Sequence, residues 1–441
     1  MTTRPGRLPR GASILLLSLV ALLTAAMRAS PEAGDVILVV VDTLRAQNLS
    51  HYGYERDTSR HLARFGEDAV TYENAITPGT WTVPAHGSLF TGRLPSFHGA
   101  ERVAGEKIQA TPLRPEVATL AEILRERGRP AAGFVANETY VTPLLGFDRG
   151  FEPFVAKDRP AGDVLDTALE WLEREPAPSF LFVNLLDPHE PYDPPEPYRE
   201  RFPGGDATLG TSLTELVRRD GGVTREAARH FVSLYDGEVA YADRSLGRFF
   251  DRLRELGRYD DALIVVTSDH GEMLGEHGAA GHGGLPYEEL VRVPLLVKYP
   301  RSRDAGRRVP RRVSTLGVFP TILAELGIDP PSNIEGVPLD EPHRVWVEDV
   351  NFVGERVTVG YDGDRKIVYV TQNPYGALPS ATLFDLGRDP GEDEPAGGFA
   401  EVGRDEALVD LATRPRPANP LSAPPVEPAR RRKLRALGYV E

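Results

Sequence analysis

The chain of 441 residues predicts an α/β fold: a largely parallel central sheet flanked by helices, followed by a small C-terminal antiparallel subdomain. Three observations predict it. Continuous apolar, β-branched runs recur between helix-like stretches, as strands buried on both faces require. Three of these runs reach an aspartate at or just beyond their carboxyl ends, where open α/β sheets collect ligands. From about residue 345 the pattern shortens into strand candidates separated by turn residues.

Taken in order, the apolar runs cover residues 36–41, 131–135, 180–186, 262–267 and 294–297. The first is closed by Asp42, the third leads to Asp187 and the fourth to Asp269, so these carboxylates are candidates for one shared site. Residues 224–256 read as a long amphipathic helix, with Phe231, Leu234, Val239, Leu246, Phe249, Phe250 and Leu253 near helical spacing. The polar, glycine-rich stretch 203–222 reads as a surface loop. Strand candidates 345–350, 356–361, 366–371 and 382–386 make up the antiparallel subdomain. The chain thus divides into a leader (1–30), a main domain (31–340), an α+β subdomain (341–395) and a Pro-rich, basic tail (396–441). In the tail, Arg414-Pro415-Arg416-Pro417 reads as an extended strap, and Arg430-Arg431-Arg432-Lys433 as a solvated helix face.

An apolar fraction of 41% is ample for a packed core. The net charge of −14, from 51 basic and 65 acidic residues, excludes a general polyanion-binding surface, and nucleic acid with it. The absence of cysteine removes disulfides, thiolate metal sites and a cysteine nucleophile. At the N-terminus, Arg4, Arg7 and Arg10 precede an uncharged stretch, 11–27, containing Ile14-Leu15-Leu16-Leu17. That is the pattern of a signal peptide, shorter than the roughly 20 residues that span a bilayer. An exported protein is expected, periplasmic or extracellular. If the segment is retained, it tethers the same domain to a membrane.

The chemistry concentrates in Thr80-Trp81-Thr82-Val83-Pro84-Ala85-His86-Gly87-Ser88-Leu89-Phe90-Thr91-Gly92. Pro84 fits the first turn of a helix, where its missing N–H costs nothing. A helix starting at Thr82 would turn its amides and positive dipole end toward a tetrahedral anion beside the Thr82 hydroxyl. Asp42, Asp269 and His270 offer oxygen and imidazole ligands for a divalent cation, which would lower the pKa of a neighbouring hydroxyl.

These segments, across roughly residues 35–395, resemble the sulfatase family of the alkaline-phosphatase superfamily. Its signature is Cys/Ser-x-Pro-Ser-Arg followed by Leu-x-Thr-Gly. Thr82 stands at the nucleophile position, Ala85 at that of the Ser and His86 at that of the Arg. Val40-Val41-Asp42-Thr43-Leu44-Arg45 is similar to the first metal motif, with Thr43 where many members carry Asp, Asn or Gln. Leu186-Asp187-Pro188-His189-Glu190-Pro191-Tyr192 looks like the Pro-His-x-Pro-Tyr element. Ser268-Asp269-His270-Gly271-Glu272, with Leu274-Gly275-Glu276-His277-Gly278, looks like the second metal motif. Gly281-His282-Gly283 follows where many members place a Lys, and Phe384-Asp385-Leu386 with Asp389-Pro390-Gly391-Glu392 matches the ending of the small domain.

The resemblance implies an alkaline-phosphatase-like fold and a hydrolase of sulfuric or phosphoric esters. It implies one divalent ion (Ca, Mn, Mg or Zn) on Asp42, Thr82, Asp269 and His270. His189 and His282 would touch the ester or leaving group, with Asp187 orienting His189, and His86 would bind substrate in place of the Arg. The family oxidises its Cys or Ser to formylglycine, which a threonine cannot become, so Thr82 itself is the expected nucleophile. The implied partner is a sulfated or phosphorylated small molecule, glycan or lipid head group. Two alternatives stand: a phosphodiesterase or phosphotransferase of the same superfamily, and a catalytically silent anion-binding member.

Overall fold

The structure, a computed structural model, describes residues 34–104, 106, 108–372, 380–398, 400, 405–415 and 419–436. The expected leader lies outside them. In chain order the strands are β1 (Val36–Val41), β2 (Val70–Ile76), β3 (Ala131–Val135), β4 (Phe154–Ala156), β5 (Phe180–Leu185), β6 (Leu263–Thr267), β7 (Met273–Leu274), β8 (Ala280–Gly281), β9 (Arg292–Lys298) and β10 (Arg308–Ser314). Then come β11 (Trp346–Val350), β12 (Arg356–Asp362), β13 (Arg365–Gln372) and β14 (Ser380–Asp385). Eight of them form one sheet in the order β10-β2-β9-β6-β1-β5-β3-β4. Only β9 runs antiparallel to its neighbours.

The all-apolar β1 lies in the interior of this sheet, buried at every position. Its alternate residues face two cores. Val36, Leu38 and Val40 pack with residues of helices Thr82–Thr91, Leu120–Glu126 and Val318–Glu325. Ile37, Val39 and Val41 pack with residues of Arg60–Glu67, Ala161–Arg174 and the long helix Arg225–Glu255. This two-sided burial is what the continuous apolar runs required. β11 to β14 form the expected separate antiparallel sheet, and β7 and β8 a short hairpin.

Three features differ from the sequence reading. β2 and β10 carry too many polar residues (Thr71, Glu73, Asn74; Arg308, Arg311, Arg312) to read as buried runs, and β10 is an edge strand. The 203–222 stretch contains the helix Leu213–Asp220, capped by the Ser212 side chain and held by buried Leu213 and Leu216. The tail is more docked than expected: Leu408, Leu411 and Leu434 are buried, and Asn419 Nδ2 donates to Gly99 O (2.9 Å) and Pro112 O (2.8 Å). Arg431, Arg432 and Lys433 do present an exposed face of the helix Pro428–Ala436, and residues 416–418 of the strap lie outside the described residues. Among the described residues no helix is long and apolar enough to cross a membrane.

Candidate active site

The site forms beyond the carboxyl ends of β1, β3, β5 and β6, and β1 decides its geometry. Val40 is paired with Thr267 of β6 on one side and with Asn184 of β5 on the other, so Asp42 emerges beside Asp269 and His270. Thr43 then takes a left-handed φ of 55°, unfavourable for a residue with a branched side chain. That turn is held from three sides. The Thr43 hydroxyl donates to Asp42 O (2.8 Å) and its amide to Asp269 Oδ1 (3.3 Å), while Tyr235, from the long helix, donates its hydroxyl to Thr43 O (2.7 Å). The long helix therefore braces the site as well as packing the core.

Asp42, Asp269 and His270 offer ligand atoms within 4.8 Å of one another, and all three side chains are fully buried. His270 Nδ1 donates to Gly271 O at 2.9 Å, which leaves its Nε2 lone pair facing the carboxylates, 3.4 Å from Asp269 Oδ2 and 3.7 Å from Asp42 Oδ1. Those two oxygens are buried without a hydrogen-bond partner. Burial pushes both carboxyls above their ordinary range, and the Asp42 charge adds to the effect on Asp269; burial pushes His270 well below its own. Two buried acceptor oxygens converging with an imidazole lone pair fit a divalent cation.

Thr82 opens the helix Thr82–Thr91, with Trp81 as an N-cap that supplies no side-chain acceptor. Its hydroxyl lies 3.3 Å from His270 Nε2 and 3.5 Å from Asn137 Nδ2, which also donates to Asp42 Oδ2 at 2.8 Å. Asn137 follows β3 just as Asp42 follows β1, so the strand-end rule that flagged the aspartates would have found it too. Glu272, within the second motif, was equally overlooked as a functional group. It is fully buried and accepts from His282 Nδ1 at 2.9 Å, which leaves Nε2 as the basic nitrogen of that ring. The His189 ring, 5.1 Å from that of His282, is oriented by donation from Nδ1 to Glu190 O.

Two expectations meet a different arrangement. His86 is fully buried among Phe90, Phe147 and Phe182, and its Nδ1 donates to Thr82 O at 2.9 Å and faces Asp269 Oδ2 at 3.4 Å. Burial pushes its pKa down to about 4, which favours the neutral ring, and its Nε2 is buried without a hydrogen-bond partner. Asp187 is not part of the cluster: its Oδ2 accepts from the Ala161 amide (2.9 Å) at the start of the helix Ala161–Arg174, and His189 Nδ1 donates to Glu190 O. The Ala161 amide and the helix start favour the carboxylate, while burial still pushes its pKa up to about 6.

Residues 34–328 match the Sulfatase family. The chain belongs to the sulfatase family. An arylsulfatase of Clostridium perfringens is 26% identical, over 81% of this chain and 89% of that protein. The phosphonate monoester hydrolase of Agrobacterium radiobacter shares the fold, with a TM-score of 0.66 at 22% identity over 86% of this chain and 93% of its own. So does a protein solved with D-glucosamine-2-N,6-O-disulfate, with a TM-score of 0.68 at 18% identity, covering 86% and 97% of the two chains. The family is one of ester-hydrolysing enzymes that use a divalent metal, and the Asp42, Asp269 and His270 cluster is the potential site for it here.

Proposed function

We propose that this chain is a metal-dependent hydrolase of sulfuric or phosphoric esters with Thr82 as nucleophile. The observation that carries the reading is the position of the Thr82 hydroxyl, 3.3 Å from His270 Nε2 at the edge of the buried Asp42, Asp269 and His270 cluster, on the first turn of a helix. Asp42, Asp269 and His270 would hold the ion, with Thr82 at its edge; when bound, it would neutralise anionic charge and favour the ionised hydroxyl.

In the first step a bond forms from Thr82 Oγ1 to sulfur or phosphorus as the bond to the leaving oxygen breaks. The hydroxyl proton passes to solvent and the leaving oxygen takes a proton from an imidazole. Water then attacks the same sulfur or phosphorus with the same imidazole as base, the bond to Thr82 Oγ1 breaks, Oγ1 takes back a proton from solvent, and sulfate or phosphate is released. His282 suits that role because Glu272 fixes its Nδ1 proton and leaves Nε2 as the basic nitrogen, with His189 alongside. Burial holds His282 well below its ordinary range, and the charge of an arriving ester anion favours the imidazolium. Amides of the helix start face the anion. His86 acts by positioning Thr82 and Asp269.

The substrate is a sulfated or phosphorylated small molecule, glycan or lipid head group. Sulfate and phosphate esters both present a tetrahedral anion to this cradle, and turnover of sulfate monoesters, phosphate monoesters and phosphate diesters by the metal-loaded protein separates them. Thr82→Ala abolishes turnover of whichever is accepted while the fold persists, and Thr82→Ser keeps part of it. Near-normal rates for Thr82→Ala would mean that another group attacks.

A further inference from the structure

The two imidazoles beside the cluster meet at one peptide. The Glu190 carbonyl accepts from His189 Nδ1, and the Glu190 amide donates toward the Glu272 carboxylate, which accepts from His282 Nδ1 at 2.9 Å. The rings stand 5.1 Å apart. The Glu190 side chain, buried like both rings, is held elsewhere. Its Oε1 accepts from the Ser212 hydroxyl and from the Thr214 amide (2.9 Å), and its Oε2 from the Thr214 hydroxyl (2.7 Å). Ser212 caps the helix Leu213–Asp220 and Thr214 stands in its first turn, a place where amides and dipole favour a carboxylate. The same helix start reaches the other histidine: Thr214 Oγ1 lies 3.4 Å from where a Cβ on Gly281 would stand, one residue before His282. A further tie, from the Tyr192 amide to Thr211 O at 2.8 Å, joins the two segments.

Resting on the reading of His282 and His189 as the groups that serve the leaving oxygen, we propose that Glu190 is a positioning residue for both. Its side chain, clamped by Ser212 and Thr214, sets the peptide that fixes Nδ1 of each ring. Each imidazole is thereby kept in one tautomer and one orientation. Such precision matters because a misplacement of about 1 Å costs up to about 10²-fold in rate. The role is one of geometry rather than charge. A glutamine at this position meets the same three donors, with Oε1 accepting from Ser212 and the Thr214 amide and Nε2 donating to the Thr214 hydroxyl. Alanine leaves all three without an acceptor. The helix Leu213–Asp220 thus contributes to the reaction through its grip on Glu190.

The test compares wild type, Glu190→Ala and Glu190→Gln as full, metal-loaded chains. Kinetics use the phenyl and para-nitrophenyl sulfates and phosphates, the phenyl esters having the poorer leaving group. Glu190→Ala lowers kcat on the phenyl ester about 10–100-fold and on the para-nitrophenyl ester far less, and Glu190→Gln restores most of the loss. A merely structural Glu190 would lower both esters equally. Independently of turnover, ring ¹H–¹⁵N spectra of the histidine-labelled chain report the Nδ1–H of His189 and His282, assigned through His189→Ala and His282→Ala. Glu190→Ala displaces both signals, Glu190→Gln keeps them, and the His98 Nε2–H on Pro84 O stays in place as the control. Should Glu190→Ala fail to fold, Thr214→Val, which removes one donor, carries the same comparison with a smaller loss. A folded variant with both ring signals unchanged, equal losses on the two esters, or Glu190→Gln as damaging as Glu190→Ala overturns the inference. Displaced ring signals in Glu190→Ala, with no ester turned over by wild type, support it while sinking the hydrolase reading. Turnover with the ring signals unmoved does the reverse.

Discussion

Replacing Asp269 with Asn tests the metal cluster through stability, without relying on a substrate. Asp269 is fully buried, its Oδ2 has no hydrogen-bond partner, and His270 Nε2 stands 3.4 Å from it. In the ion-free protein two carboxyls are crowded out of water, which pushes both above the usual range and costs stability at neutral pH. A bound ion reverses that cost: at about 100 times its Kd it adds about 2.7 kcal/mol. With roughly 2 °C per kcal/mol for a large domain, the expected rise in Tm is about 5 °C. Loss of a partner behind a metal ligand already weakens binding by about 10–100-fold, so loss of an anionic ligand should weaken it at least about 100-fold. At the same ion concentration the variant then gains only about 0.4 kcal/mol, or about 1 °C. After chelation, Asp269→Asn should melt at or above wild type, because one buried charge beside Asp42 has gone. Thermal unfolding with and without Ca, Mn, Mg or Zn measures all of this. A variant that keeps the whole ion-induced shift, or a wild type shifted by none of the four, would refute the reasoning.

Three further outcomes are expected. His282→Ala should cost esters of poorly acidic alcohols about 10²–10⁴-fold and activated phenyl esters far less, with Glu272→Gln intermediate; an equal loss on both would assign these groups to anion binding instead. His98, fully buried with Nδ1 accepting from the Ala100 amide (3.1 Å) and Nε2 donating to Pro84 O (3.1 Å), is pushed down to about 3 by burial. An unfolded histidine takes its proton near pH 6.5, so the native state binds fewer protons below that pH, and stability falls as pH drops from there toward 3 by up to about 1.4 kcal/mol per unit. Urea unfolding at neutral and mildly acidic pH should show a shallower loss for His98→Asn, and parallel losses would sink the idea. Lys366, also fully buried, contacts Glu288 (3.2 Å) and Glu392 (2.8 Å) and so ties the small sheet to the main domain. Lys366→Met should destabilise by about 3–5 kcal/mol in denaturant, because two buried carboxylates lose their cation.

What could be read in the chain is what local pattern encodes. Apolar runs placed β1, β3, β5, β6 and β9, the period of Phe231 to Leu253 placed the long helix, and Pro84 placed the start of the helix that bears Thr82. The strand-end rule picked out Asp42 and Asp269, and with His270 they do converge. The same rule also offered Asp187, and nothing local distinguishes that aspartate from the other two. Its destination depends on the start of the helix Ala161–Arg174 being folded close by. His86 likewise sits in a motif position that suggests an anion contact, yet the aromatic side chains that enclose it come from residues 90, 147 and 182.

The sequence by itself determined the elements and the chemical types available at their ends, because burial period and chain-breaking residues act within a few positions of one another. The tertiary structure alone decided strand order and register. The pairing of Val40 with Thr267 and with Asn184 sets Asp42 beside Asp269 and His270, and brings Asn137 to the Thr82 hydroxyl from a strand two places away. It also decided that Arg102 stacks on Trp81 against Gly283, and that the C-terminal residues dock on the domain. Each of these joins residues tens to hundreds of positions apart, and parallel pairing across helical crossovers leaves no periodic trace in the chain.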